Sequence, residues 1–106
     1  MNKKTSAIEK TQEQASLFKA LSDPTRLRIV KTLEQQCNPD ALCVNALAGL
    51  LGVTQSAISQ HLRVLKNACL VKGERRGYHV HYSINKQALK NCQKIMSTAL
   101  SIKAAK

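Results

Sequence analysis

The sequence is poor in aromatic side chains and poorer still in carboxylates. One Phe, two Tyr and no Trp make up 3% of the chain, which weighs against any reading that needs stacking platforms for single-stranded nucleic acid. Only six Asp and Glu stand against 17 Lys and Arg, a formal charge of +11. The shortage is local: residues 41–106 hold ten basic residues and a single acid, Glu74. Such asymmetry points to a polyanion partner, either nucleic acid or an anionic membrane surface. Long apolar runs are also missing. None reaches the length of a membrane span, and the opening MNKKTSAIEKTQEQ lacks the apolar centre of a secretory signal. A cytoplasmic location follows as the expectation. There the four cysteines, Cys37, Cys43, Cys69 and Cys92, are free thiols or metal ligands rather than disulfides, and no CxxC pair occurs. Without a phosphate loop, a metal-hydrolase motif or a nucleophile constellation, an enzyme is not expected.

What is present is one small domain of 106 residues, 43% apolar. Residues 1–8 read as a flexible arm, 9–102 as the domain and 103–106 as a tail. A helix is predicted from Glu9 to Leu21, where Ala15, Leu17, Phe18 and Leu21 recur at helical spacing. In SDPTRLRIVKTLEQQ, Asp23 can cap and Pro24 suits the first helical position. Leu27, Val30 and Leu33 then mark a buried stripe, and the helix ends near Gln36. A short third helix fits Val44 to Leu51, with Gly52 as a left-handed stop. Thr54 can cap a fourth helix that runs to about Ala68. Two helices joined so tightly outline a helix-turn-helix. A hairpin is predicted over Leu70–Arg75 and Tyr78–Ile84 with its tip at Arg76-Gly77, and a last helix over Lys86 to Ile102. The order is two helices, a helix-turn-helix, a hairpin and a helix: a mainly α winged helix-turn-helix with a small β wing.

The segment TQSAISQHLRVLKNA, Thr54 to Ala68, carries the functional signal. Ile58, Leu62 and Leu65 form one apolar side, while Thr54, Gln55, Ser56, Ser59, Gln60 and Arg63 offer hydrogen bonds and positive charge without one carboxylate. Major-groove base edges present matching donors and acceptors, and recognition helices touch bases over their first turns. Lys72, Arg75, Arg76 and Tyr78 of the wing suit phosphate contact or minor-groove insertion. Singly, each cation reads as a solvated surface charge; together, beside a carboxylate-free helix, they favour DNA. His61 lies next to the apolar side and reads as a packing histidine.

ALSDPTRLRIVKTL, LAGLLGVTQSAISQHLRVLKNACLV and ERRGYHVHYSI together resemble the ArsR/SmtB family of bacterial transcriptional repressors over roughly residues 9–100. The resemblance implies a homodimer joined by its first and last helices, a partly palindromic double-stranded DNA operator, and release by metal or metalloid ions or by thiol chemistry. Many such sensors carry Cys-Val-Cys at the start of the third helix; the matching residues are Cys43-Val44-Asn45, so one thiolate is kept and one is lost. Cys37 can approach Cys43 from the preceding loop, which makes Cys37 and Cys43 the candidate effector residues for a thiophilic ion that the fold itself does not require. Cys92 lies on the apolar stripe of the last helix and reads as a small hydrophobe. Cys69 replaces a Gly of many relatives and bears a cost if its backbone is left-handed. The second metal site of the family is expected to be absent, because Asn85, Lys86 and Gln87 stand where Asp and His ligands are needed. His79 and His81, two apart on one strand, share a face and supply half of a metal site at most. The alternatives are a regulator that responds to cysteine oxidation or to nothing, a protein-binding winged helix, and an architectural protein held by charge alone, whose binding would depend steeply on salt without base preference.

Overall fold

In the computed structural model the described residues are 3–36 and 41–100, with side chains from residue 7. The elements run α1 (Lys3–Leu21), α2 (Pro24–Glu34), β1 (Leu42–Cys43), α3 (Val44–Leu51), α4 (Gln55–Asn67), β2 (Val71–Arg76), β3 (His79–Ile84) and α5 (Lys86–Ala99). The winged helix-turn-helix order predicted above is present, with one strand added.

Local chemistry accounts for the helix boundaries. Asp23 caps α2 by accepting from the Arg26 N–H at 3.0 Å, with Pro24 at the first helical position. Thr54 caps α4 by accepting from the Ala57 N–H at 3.1 Å, and Asn85 caps α5 through Ala88. Gly52 ends α3 at φ 66°, the left-handed region that costs a β-carbon-bearing residue most. Helix α1 begins at Lys3, ahead of the Glu9 start expected. Periodicity tracks burial rather than helicity, and residues 7–13 are exposed, so this turn leaves no apolar stripe to read.

The core gathers one face of every helix over one face of the sheet. Ile29, Leu47, Ile58, Leu62, Leu65 and Leu70 are fully buried, each contributing on the order of 1.5–3 kcal/mol by leaving water. Leu27 is not part of it. The core side of α2 lies at Ile29, Val30 and Leu33, and Leu27, rotated away from it, is 39% exposed.

The sheet is antiparallel in the order β1-β3-β2. Strand β1, unforeseen in the sequence, pairs Leu42 with Tyr82 and Cys43 with His81. The register of β2 on β3, from Val71 opposite Ile84 to Arg76 opposite His79, places the turn at Gly77-Tyr78. That is one residue later than the expected Arg76-Gly77, and Gly77 takes φ 67° there. Such positive φ values are what tight two-residue hairpin turns demand. Helix α5 ends at Ala99, short of the expected Ile102; Ile102 and Lys103 lie outside the described residues.

Candidate nucleic-acid interface

Helix α4 is held by its apolar side and free on the other. Ile58, Leu62 and Leu65 are buried to 1% exposure or less, which fixes the rotation of the helix about its axis. Gln55, Ser56, Ser59, Gln60, Arg63 and Lys66 are then all exposed, as is the cap Thr54. No acidic residue lies in α4 or in α3 before it. The outer face is therefore a row of hydrogen-bonding groups and cations without a charge that repels phosphate.

Two arginines of the DPTRLRI segment brace this unit instead of adding to its charge. Arg26 Nε donates to the Ala20 carbonyl at 2.7 Å, and its Nη1 lies 3.4 Å from His61 Nδ1. Arg28 Nη2 donates to the Leu51 carbonyl at 3.1 Å. Each satisfies carbonyls left open at a helix C-terminus, of α1 and of α3, where a cation is also favoured by the helix dipole. His61 is half-buried and lies 3.9 Å from Asp23 Oδ2, so it ties α4 to the start of α2 as a packing residue. The Arg26 backbone N–H holds the Asp23 carboxyl below its ordinary 3.8, against the opposing effect of desolvation and with help from the His61 and Arg26 charges.

The wing presents Lys72, Arg75, Arg76 and Tyr78 to solvent, and Tyr78, in the turn itself, is 98% exposed. The strand period divides the cations between two faces: Lys72 and Arg76 lie on one, Arg75 on the other, opposite Val80. Glu74, the lone acid of this half, meets Arg76 at 3.9 Å in an exposed pair. Such pairs are worth at most about 1 kcal/mol, so Arg76 is readily released to a phosphate.

The cysteines separate. Cys43 is half-buried at the junction of β1 and α3, Cys69 is exposed, and Cys92 is buried. Burial pushes the Cys92 thiol above its ordinary 9.0, which disfavours the thiolate that metals bind. Cys37 lies outside the described residues. Cys69 has φ 62°, the left-handed backbone in which a residue with a β-carbon is strained. It ends α4 in a Schellman motif: the Cys69 N–H donates to Lys66 at 2.9 Å and the Leu70 N–H to Leu65 at 3.0 Å. Asn85 Nδ2 donates to the Cys69 carbonyl at 2.8 Å while its Oδ1 caps α5. Asn85 is thus committed to joining α4 to α5. His79 is exposed opposite Arg76. His81 is half-buried, and its Nδ1 is the buried side-chain polar atom among the described residues that has no hydrogen-bond partner.

Among the described residues no helix is long and apolar enough to cross a membrane, and no three His, Cys, Asp or Glu side chains converge as a metal site.

Residues 23–72 match the family model for "Bacterial regulatory protein, arsR family". The chain is 41% identical over 78 residues to the "Transcriptional repressor SmtB homolog" of Synechocystis, covering 74% of this chain and 56% of that one. To the "Cadmium resistance transcriptional regulatory protein CadC homolog" of Staphylococcus aureus it is 35% identical over 88 residues, covering 83% and 70%. Among solved structures, it is similar to the homodimeric winged helix-turn-helix DNA-binding domain of Mb0332 from Mycobacterium bovis. The TM-score is 0.73 at 25% identity, over 93% of this chain and 87% of that one.

Proposed function

Because the chain belongs to the arsR family of bacterial regulatory proteins, a family of DNA-binding transcriptional regulators and not of enzymes, we propose the following reading of its parts. The protein is a cytoplasmic, homodimeric repressor that reads a double-stranded operator with α4. Gln55, Ser56, Ser59, Gln60 and Arg63 address base edges, and Thr54 with the α4 N-terminus addresses phosphate. Lys72, Arg75, Arg76 and Tyr78 of the wing hold the flanking backbone. The single observation that carries this is the exposed, carboxylate-free face of α4 on a rigidly buried base. Dimerisation through α1 and α5 is supported by apolar side chains left in solvent there: Ile8 at 59%, Met96 at 51% and Leu100 at 65% exposure. An isologous two-fold contact would cover them.

The effector is a thiophilic ion or thiol-reactive species acting at Cys43, with Cys37 as the second candidate thiol. Burial removes Cys92 from that role.

Operator selection from a random duplex library, followed by anisotropy titrations at several salt concentrations, tests the DNA reading. A preference for the selected site of about a thousandfold or more over random duplex is expected. Equal affinities at moderate salt would reduce the protein to an architectural one. The effector reading is tested separately, by titrating the operator complexes of wild type, C37S and C43S with arsenite, Cd(II) and persulfide. Release that persists unchanged in both variants removes these thiols as sensors.

A further inference from the structure

The strand register brings together two metal-binding side chains that lie far apart in sequence. Cys43, on β1, is the direct antiparallel partner of His81 on β3. Directly opposed residues point to the same sheet face with their Cβ atoms about 4.5–5.5 Å apart. Zinc–thiolate and zinc–imidazole bonds sum to about 4.3 Å, a donor separation that two side chains projecting side by side from Cβ atoms this close can span. Cys43 is a free, half-buried thiol, and His81 Nδ1 is buried without a hydrogen-bond partner. Buried polar atoms are nearly always partnered, and an orphan asks for an explanation such as an unseen ion.

We propose that Cys43 and His81 form a two-coordinate site for a soft monovalent cation of the Cu(I) class. Donor number selects the ion. Thiolate and imidazole suit both copper and zinc, but zinc takes four ligands, whereas As(III) and Pb(II) need several thiolates. No third ligand converges among the described residues. Glu74, the β2 partner of His81, offers a hard carboxylate that a soft monovalent ion does not favour. His79 is exposed at the far end of β3, opposite Arg76, so His81 is the histidine placed beside the thiol. An ion held in this way joins the wing strand to the first residue before α3, and so couples the hairpin to the helix-turn-helix. This deepens the effector half of the function proposed above. Its test is run without DNA, so a failed metal site and a failed DNA regulator give different results.

The experiment is anaerobic titration of the full chain with Cu(I) against a chromogenic Cu(I) chelator, together with X-ray absorption of the wild-type complex. One ion per chain is expected, with one sulfur donor and one imidazole nitrogen. C43S should abolish this binding. H81Q should weaken it by more than about tenfold, since even outer-shell partners of metal ligands are worth 10–100-fold, and C69S should leave it unchanged. Circular dichroism reports whether each variant folds, and the absorption spectrum needs no variant at all. A spectrum with sulfur donors only, equal affinity in wild type and a folded H81Q, or tighter binding of arsenite than of Cu(I) would each overturn the proposal.

Discussion

Helices α4 and α5 are built alike and finished differently. Each starts on a polar cap, Thr54 or Asn85, each lacks an acid in its first turn, and each carries an apolar stripe. Helix α4 buries its whole stripe inside the subunit, with Ile58, Leu62 and Leu65 essentially inaccessible. Helix α5 buries Cys92 and Ile95 and leaves Met96, together with Leu100 just past its end, in solvent. The contrast separates two uses of amphipathicity. On the function proposed above, one stripe sets the angle of a reading head and must not move, while the other is offered as half of a contact.

The strongest way to break the comparison is to remove the anchor of α4. Leu62→Ala deletes fully buried methyl groups, and such core truncations cost about 2–5 kcal/mol. Urea unfolding should show that loss with the slope preserved. An equivalent insult to α5, Met96→Glu, should leave the folded subunit within about 0.5 kcal/mol, as exposed substitutions usually do. Its effect should appear in association. Met96 has about half of its surface left to bury, worth about 1 kcal/mol per copy, so two copies weaken the dimer by on the order of thirtyfold. Sedimentation equilibrium measures this. A dimer indifferent to M96E would move the interface away from α5.

A smaller effect probes the joint between the two helix pairs. Asp23→Ala removes the α2 cap, worth about 0.5–2 kcal/mol. It also removes a carboxyl held below 3.8 by the Arg26 N–H. The sign follows from that depression: a carboxyl with a lowered folded value stabilises above its unfolded value and loses this as pH falls through the folded one. The wild type should therefore lose stability below about pH 4 more steeply than D23A, as thermal melts between pH 2.5 and 6 would show.

Most of what was legible in the sequence was local. The Asp23-Pro24 start, the Gly52 stop and the Thr54 cap each act within one turn, so adjacent residues reveal them. The exposed face of α4 was legible for the same reason, because three buried residues at helical spacing determine what faces out. What escaped was set by contacts distant in sequence. Strand β1 is two residues long and exists only because β3 runs beside it. Arg26 and Arg28 counted as positive charge, although their guanidinium groups close the ends of α1 and α3. The neighbourhood of Cys43 and His81 needed the register itself, since Cys43 lies one residue before α3 and His81 in the wing.

The smallest predicted effect concerns how α4 ends. Cys69 holds φ 62° in a Schellman motif whose flanking residues, Leu65 and Leu70, are fully buried. The backbone cannot relax without disturbing that contact, so the strain of a left-handed residue with a β-carbon, about 1–2 kcal/mol, is retained in the folded state. Cys69→Gly removes the strain but widens the unfolded ensemble, which costs about 0.5–1 kcal/mol. The difference leaves a net gain of about 0.5 kcal/mol, or roughly 2–4 °C in Tm for a domain of this size. Cys69→Ala separates the two contributions: it keeps the β-carbon and the strain, loses the thiol, and should leave Tm unchanged. If C69A rather than C69G raised Tm, the thiol and not the backbone would be the destabilising feature, and the end of α4 would be limited by side-chain chemistry instead of by φ.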